Sequence, residues 1–460
     1  MRWVRAAGVA AALAVVAQVA DARVPAFVRQ TGLVCNQCHV TWTPVMDFTF
    51  TGMKFRLNGF RTPWVAEKVE AGDEGGVNGQ RLALTLGSML SWHVRGLFVG
   101  SNTPPSDPSL PAPGAGQPSS NLIQTVGMHY AGPIGDHIGI WNEFYMYGGG
   151  LGPTAANGNA GGNRNGYIGL SHFSVVLTTN SNGNIFGWEG QLLPSPGAHD
   201  FMQLNNDPTP THMFNNPGIS GSGAPYVYYS VYGFFKDRLG VEMGLEPGED
   251  NLGWKRFNYR VESGYFLKNT DANFWRVSAE FKMGNDMVPI VSTLRAQPDG
   301  IRTLVPADAV IGISAARASN TPLSSTNLGD AKRWLFGIAG GFVDHGPHSF
   351  DVSVSQAVES ETYDDQSSST MSAIGGEIRY TYNRTWGIQA HWSTYEKWNF
   401  TDATQLVHNI PMNPSWDVIA VRRLAMNFAF YAQYGNSLTS VLDQKYRSGK
   451  TWGIYMQYLW

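Results

Sequence analysis

Short runs of alternating apolar and polar residues, separated by connections of two length classes, restrict the fold of this 460-residue chain more than any other feature. In residues 82–94, aliphatic residues and a tryptophan fall on one face of an extended strand, while Ser91 and His93 fall on the other. Residues 386–393 and 452–460 alternate in the same way. A period of two residues is typical of a strand with one apolar face. The chain is therefore predicted to be all-β.

The connections between these runs are alternately short and long. Two or three residues join the runs at 132–134, 236–237 and 383–384, whereas the connections at 148–164 and 196–224 are far longer. Transmembrane barrels have short periplasmic turns and long outer loops, while a soluble sandwich has no reason to sort its loops in this way. We predict a transmembrane antiparallel β-barrel of about 16 strands, or about 18 if every candidate run, including those at 286–297 and 303–317, is a separate strand. Both ends of the barrel should then be periplasmic.

The composition agrees with a barrel that contacts outer-membrane lipid. Charged residues make up 15% of the chain, compared with roughly 25% in soluble domains. After the N-terminal region, no apolar stretch approaches the roughly 20 residues of a spanning helix. The formal net charge of −3 provides no polybasic surface, so a nucleic-acid partner is not expected.

The N-terminal region divides into two segments. Residues 1–22 combine Arg2 and Arg5, a short apolar run and a small-residue exit, which is the pattern of a secretory signal peptide. Residues 23–78 follow as a small segment before the barrel of residues 79–460. A segment of this size rarely buries enough surface to fold alone, so we expect it to lie in the barrel lumen.

Both cysteines of the chain lie in residues 35–39, which read Cys-Asn-Gln-Cys-His. This is the pattern of covalent c-type haem attachment, in which two thiols add to the haem vinyl groups and the histidine ligates the iron. A thioredoxin-like pair would need an α/β context, and a zinc site would need further ligands at close spacing; a structural disulfide is the third alternative. We predict one haem c, bound by Cys35 and Cys38, with His39 as an iron ligand.

The sequence leaves the sixth iron ligand open. Met46 and Met53 are near the motif, and a His/Met ligand pair would raise the reduction potential, as it does in cytochromes c. Of these two, Met53 is our candidate ligand. His93 and His129 lie on the predicted lumen face of the first two strands. Each of the four also has a simpler interpretation, namely packing for the methionines and ordinary lumen polarity for the histidines.

The residues around the haem motif resemble one family, the fused monohaem cytochrome–porins of the outer membrane. Residues 24–39 contain its Pro-x-Phe-x-Arg-Gln-Thr-Gly pattern before the haem motif. Residues 51–60 match its Phe-Gly-x-x-Phe-Lys-Leu-Asn-Gly-Tyr pattern, with Thr51, Arg56 and Phe60 as departures. The best-known members are iron(II) oxidases of iron-oxidising bacteria.

The resemblance implies an electron-transfer function. An extracellular donor, Fe(II) in the best-known members, would give one electron to the haem, and a soluble periplasmic cytochrome would accept it. Two alternatives stay open: a porin for small solutes with a haem-bearing plug or sensor, and a conduit for a different external redox partner.

Acidic residues cluster in two predicted outer loops. One group is Glu246, Glu249 and Asp250; the other is Glu359, Glu361, Asp364 and Asp365. Carboxylates are hard ligands that could attract Fe(II) to the mouth of the barrel. Charge runs also mark ordinary solvated loops, so none of these residues is assigned a catalytic role.

Overall fold

The structure is a computed structural model, and it describes the chain in separate stretches. These are residues 26–31, 33, 35–38, 48–61, 90–102, 119–148, 169–181, 183–192, 227–248, 256–270, 273–284, 329–363, 368–383, 385–401, 405–409, 415–425, 428–435 and 451–459. The signal-peptide prediction, His39 and Met46 lie outside the described residues.

Three short helices precede the strands. They are α1 (Ala26–Thr31), α2 (Cys35–Cys38) and α3 (Phe50–Leu57). Thr49 caps the N-terminus of α3, because its hydroxyl accepts a hydrogen bond from the backbone N–H of Gly52 at 3.0 Å. Side-chain capping of this kind satisfies one of the N–H groups that a helix leaves without an internal partner. None of the described helices is long and apolar enough to cross a membrane.

The strands form one closed antiparallel sheet, in which β1 pairs with both β2 and β17. The strands are β1 (Leu90–Asn102), β2 (Ser119–Ile134), β3 (Ile138–Gly148), β4 (Gly169–Ser181), β5 (Asn184–Leu192), β6 (Val227–Phe235), β7 (Leu239–Gly248), β8 (Arg256–Thr270), β9 (Asn273–Gly284), β10 (Gly329–His345), β11 (His348–Tyr363), β12 (Ser368–Tyr382), β13 (Trp386–Thr401), β14 (Val407–Asn409), β15 (Ser415–Ala425), β16 (Phe428–Gly435) and β17 (Thr451–Leu459). The predicted barrel is confirmed.

The barrel has sixteen strand positions. β14 and β15 both pair with β13, at its opposite ends, so together they occupy one position. β9 pairs directly with β10 from Trp275↔Gly340 to Gly284↔Ala331. The candidate strands at 286–297 and 303–317 lie outside the described residues, and no strand intervenes between β9 and β10. The count of about 18 strands is therefore wrong, because a closed sheet leaves each strand only two edges.

The seven strand pairs joined by two or three residues meet at one rim of the barrel, which we call the short-turn rim. These pairs are β2–β3, β4–β5, β6–β7, β8–β9, β10–β11, β12–β13 and β15–β16. In the β6–β7 turn, Lys236 and Asp237 have positive φ of 47° and 57°; a type I′ hairpin requires this conformation at both central positions. β1 begins and β17 ends near the same rim, since Leu90 pairs with Tyr130 and Leu459 with His93.

Three predicted boundaries need correction. The sequence predicts a first strand over 81–94, but β1 continues to Asn102; its described part begins at Leu90, since residues 81–89 lie outside the described ones. Glu359 and Glu361 belong to β11, and Glu246 belongs to β7, so they are strand residues and not loop residues. Polar residues at the ends of a strand continue its backbone hydrogen bonds but lack the alternation of apolar residues by which strands are predicted. The sequence therefore does not indicate how far these strands extend. Glu249, Asp250, Asp364 and Asp365 lie outside the described residues.

The two faces of the barrel have opposite chemistry. Large apolar side chains stand exposed on the outer face, for example Val231, Met243 and Ile338, each more than half exposed. The residues that precede Val231 and Met243, namely Ser230 and Glu242, are polar and buried on the inner face. This alternation is the reverse of a soluble barrel and is typical of strands with lipid on one side and a polar lumen on the other.

Candidate functional site

The two cysteines of the haem-type motif lie on the single turn of α2 (Cys35–Cys38). The side chain of Cys38 is partly buried. Because both cysteines lie on one helical turn, their backbones are close together, as attachment to two vinyl groups of one porphyrin requires. The side chain of Cys35 and all of His39 lie outside the described residues.

Helix α2 is held by the start of α3. The backbone N–H of Thr49 donates to the carbonyl oxygen of Cys38 at 2.9 Å. The Thr49 hydroxyl donates to the carbonyl oxygen of Gln37 at 2.5 Å. These bonds satisfy two carbonyl groups at the C-terminal end of a helix, where the backbone has no internal partner.

The contact between α2 and α3 depends on Gly52. A Cβ atom at this position would lie 2.0 Å from the carbonyl oxygen of Cys38, which is backbone and cannot swing aside. The glycine thus lets the two helices approach to backbone contact. Sequence reasoning met Gly52 only as part of a family pattern, and the structure supplies its physical role.

Aromatic rings join α1 to α3. The ring of Phe27 meets Phe55 edge-on and stacks on Phe60, with both centroid distances at 5.1 Å. At the end of α1, the Thr31 hydroxyl donates to the carbonyl of Phe27 at 2.6 Å and accepts from the N–H of Leu33 at 3.0 Å. The segment before the barrel therefore has a small apolar core of its own, beside the two-cysteine helix.

Met53 faces the barrel wall. With Phe50 and Leu57 it forms one stripe of α3, and all three are buried in a single apolar cluster. The cluster is completed by side chains of the inner face, namely Val176, Ile185, Tyr232, Phe234 and Phe266. The rings of Phe50 and Phe266 are 5.7 Å apart. The structure thus places Met53, our candidate sixth ligand, in packing against the strands.

A buried ion pair and two hydrogen bonds fasten the same helix to the inner wall. The guanidinium of Arg56 lies 3.2 Å from the carboxylate of Glu189 on β5, which also accepts from the Ser174 hydroxyl at 2.6 Å. The carbonyl of Leu57 accepts from the Tyr232 hydroxyl at 2.6 Å and from the Thr178 hydroxyl at 3.3 Å. All four wall residues belong to the inner face, namely Glu189, Ser174, Thr178 and Tyr232. These contacts therefore lie on the inner side of the barrel wall.

Further contacts reach the short-turn rim. Arg61 donates to the carbonyl oxygens of Gly135, at 2.6 and 3.0 Å, and of Ile138. Burial lowers the pKa of the Arg61 guanidinium to about 10, and nearby Asp136 opposes the shift. Lys54 pairs with Asp237 of the β6–β7 turn at 2.9 Å, where both side chains are about one-third exposed. The helical segment is therefore attached at this end of the barrel.

His93 and His129 meet on the inner wall. Nδ1 of His93 lies 2.8 Å from Nε2 of His129, and His93 is completely buried. Sequence analysis placed both on the lumen face, and the antiparallel register of β1 and β2 brings them together diagonally, with His93 opposite Gly127 and His129 opposite Ser91.

Two further charged networks lie on inner-face positions that sequence reasoning did not single out. Arg260 pairs with Glu262 and, at 2.9 Å, with Glu280. In the second network, Arg379 contacts Glu377 and lies 2.9 Å from Asp351. His391 lies between Glu377 and Asp417, at 2.6 and 2.5 Å. In the sequence, these networks could have been recognised as charged residues at inward-facing positions of strands that alternate with a period of two.

Among the described residues, no group of three or more His, Cys, Asp or Glu side chains is arranged to hold a metal ion.

Solved structures similar to this chain are outer-membrane proteins. The trimer form of OmpT from Vibrio cholerae has a TM-score of 0.45 at 13% identity, over 81% of this chain and 98% of that one. OmpF of Salmonella typhi, in a complex with daunomycin, has a TM-score of 0.44 at 10% identity, over 81% and 97%. A mutant porin of Rh. blastica has a TM-score of 0.44 at 8% identity, over 81% and 99%. No protein-family model and no curated protein matches the sequence.

Proposed function

We propose that this chain is an outer-membrane electron-transfer protein, an iron(II) oxidase of the cytochrome–porin type. In this proposal it accepts one electron from an extracellular donor, Fe(II), and delivers it to a soluble periplasmic cytochrome. The observation that carries the proposal is the attachment of the two-cysteine helix, through α3, to the inner wall of a closed barrel. A segment fastened there faces both the lumen and the short-turn rim.

The outer face supports a membrane location. Exposed Val231, Met243 and Ile338 would be unfavourable in water but are at home in hydrocarbon, and a closed barrel leaves no backbone group unpaired at an edge. We place the short-turn rim in the periplasm, because barrels of this class have short periplasmic turns. The start of β1 and the end of β17 would then also be periplasmic.

The residues of α2 and α3 fit a covalent haem. Cys35 and Cys38 would form the thioether bonds and His39 would ligate the iron; the two cysteines share the single turn of α2. When bound, haem supplies a one-electron carrier whose potential depends on axial ligands, burial and hydrogen bonds. The chain's own contribution is position: Gly52 allows α2 and α3 to touch, and Arg56 fastens α3 to the wall.

The charge of the inner face supports a cationic donor. Among the described residues, the buried charged side chains comprise six carboxylates and four guanidinium groups. The carboxylates are Glu189, Glu242, Glu262, Glu280, Glu377 and Asp417, and the arginines are Arg56, Arg260, Arg276 and Arg379. In this proposal, the excess of buried carboxylates over buried arginines would raise the local concentration of a dication such as Fe(II) at the inner wall.

The decisive experiment is anaerobic addition of Fe(II) to the purified, oxidised protein while the visible spectrum of the haem is followed. We expect reduction of the haem by Fe(II) and no change with Zn(II), which has the same charge but no accessible redox chemistry. If Fe(II) leaves the haem oxidised, the donor is a different compound and the oxidase proposal fails.

The polar inner face favours one second candidate, a porin for small solutes in which the helical segment is a plug. Buried contacts such as Arg56–Glu189 and Tyr232–Leu57 would have to break before the segment could leave. A liposome-swelling assay separates the two functions. A working porin would admit small sugars into the liposome, whereas a barrel closed by the fastened segment would not.

A further inference from the structure

We propose that His93 and His129 form a binding site for a first-row transition-metal ion on the inner wall of the barrel. That the natural ion is the Fe(II) donor rests on the proposed function. The two imidazoles already converge: Nδ1 of His93 and Nε2 of His129 are 2.8 Å apart, and the ring centroids are 4.8 Å apart.

The protein builds space for this pair. The ring of His93 lies directly over Gly127 of β2, so that a Cβ atom at position 127 would be 2.2 Å from its Cε1 atom. Only a glycine accepts an imidazole at this distance. His93 is therefore held against the wall from behind, while His129 is partly exposed toward the lumen. An ion can approach along His129 and find His93 already in place.

The pair is adjacent to the segment that carries the two cysteines. The side-chain amide of Gln30, at the end of α1, donates to the carbonyl of Ala131 on β2 at 2.9 Å. Ala131 and His129 are two residues apart and share the inner face, which corresponds to about 7 Å along the strand. Gln30 precedes Cys35 by only five residues. The ring of Trp141, whose residue pairs with Ala131, lies 6.1 Å from the ring of His129.

Imidazole is a preferred ligand for divalent iron, zinc, copper and nickel. Two nitrogens on one tetrahedral ion, each at about 2.1 Å, are roughly 3.4 Å apart. The observed 2.8 Å separation must therefore widen by roughly 0.6 Å, and both rings must turn so that their nitrogens point at the ion; water would occupy the remaining positions. In the hydrogen bond one ring donates and the other accepts. Ligation by both requires the donor ring to move its proton to its other nitrogen, so neutral histidines bind without releasing a proton.

The electron count is simple. In this proposal, Fe(II) held by the two imidazoles would lose one electron and become Fe(III), and a haem held by Cys35, Cys38 and His39 would supply the one-electron acceptor. No further oxidant, reductant or proton would be needed at this site.

The test measures metal binding before any redox chemistry. Zn(II) binding to the purified full-length protein is measured by equilibrium dialysis, and Co(II) is added separately to record its ligand-field spectrum. We expect His93→Gln and His129→Gln each to weaken Zn(II) binding at least about tenfold, because one of two protein ligands is lost. His348→Gln is the matched control, since His348 lies on β11 and is bonded to the Tyr380 hydroxyl at 2.8 Å.

A second variant keeps both ligands. Gly127→Ala should displace the His93 ring and weaken Zn(II) binding, whereas Gly387→Ala, whose Cβ would meet nothing closer than 3.2 Å, should not. Heat-modifiable migration checks that each variant is folded. Wild-type affinity in either histidine variant, or a Co(II) spectrum of the wild type with water ligands alone, overturns the site.

Fe(II) addition then separates this inference from the oxidase proposal. If both hold, Zn(II) slows the reduction of the wild-type haem by Fe(II), and His129→Gln is reduced more slowly. Equal reduction rates in wild type and His129→Gln would refute a role for the pair in holding the donor, while the oxidase function stands. If Zn(II) binding depends on both histidines but Fe(II) never reduces the wild-type haem, the metal site stands and the oxidase function fails.

Discussion

The guanidinium of Arg56 lies 3.2 Å from the carboxylate of Glu189, and both side chains are almost completely buried between helix α3 and strand β5. The two residues are 133 positions apart in the chain. The Ser174 hydroxyl donates to the same carboxylate at 2.6 Å. Because burial of either charge alone is unfavourable, this pair fixes where the helical segment sits on the wall.

Arg56→Met should loosen the segment. It leaves the Glu189 carboxylate buried without its cation, which typically costs about 3–5 kcal/mol. We expect faster proteolysis in residues 23–78, measured on the folded barrel in detergent. Lys54→Met is the matched control, because its pair with Asp237 is partly exposed and should contribute only about 0–1 kcal/mol. Equal proteolysis of the two variants would contradict the importance of the buried pair.

Gly52→Ala should reduce haem incorporation. The added methyl group would overlap the Cys38 carbonyl at 2.0 Å, so α2 and α3 must separate. The ratio of haem absorbance to protein measures the loss. Thr51→Ala, at the neighbouring position of α3, should incorporate haem as the wild type does. Full loading of the Gly52→Ala protein would show that the close contact is not needed for attachment.

Cys35→Ser and Cys38→Ser should each remove haem that survives denaturation. Each substitution removes one of the two thiols that form thioether bonds. We expect the single remaining thiol to attach haem poorly. Haem-dependent peroxidase staining of a denaturing gel is the measurement. Staining of both variants at the wild-type level would mean that the haem is not covalently bound by this motif.

Met53→Leu should leave the haem spectrum and potential unchanged. Met53 is 2% exposed and packs with Phe234 and Phe266, and Leu conserves its volume at a cost below about 1.5 kcal/mol. Visible spectroscopy and a redox titration check this. A shift in either would instead make Met53 the sixth iron ligand, since loss of a thioether ligand changes the potential.

Val231→Arg should prevent assembly in the outer membrane. Val231 is 54% exposed on β6, and an arginine on the lipid face of a barrel costs about 2–4 kcal/mol at mid-membrane. In a water-soluble protein the same exposed substitution would be nearly neutral. Heat-modifiable protein in the outer-membrane fraction is the measurement, and Val231→Ile is the control. Normal assembly of the arginine variant, or recovery of the wild type in the soluble periplasm, would refute the membrane location.

The sequence alone determined the class of fold and the candidate cofactor segment. Period-two alternation is a local property, because successive side chains of any strand point to opposite faces. The sequence therefore predicted that residues such as Ser91 and His93 lie on the inner face. The sorting of connections into short and long is equally visible in the linear chain. The Cys-x-x-Cys-His motif needs five consecutive residues and nothing else.

Only the tertiary structure decided the strand count and the side-chain partners on the inner wall. Pairing of β9 with β10 across a connection of more than forty residues removed two candidate strands. Arg56 met Glu189, and His93 met His129, through strand register and helix docking. Register between strands depends on how side chains pack across the whole closed sheet. A local sequence pattern therefore cannot predict it. The contacts that position the site arise from strand register and from the docking of α3 on the wall, which bring together residues that are distant in the chain.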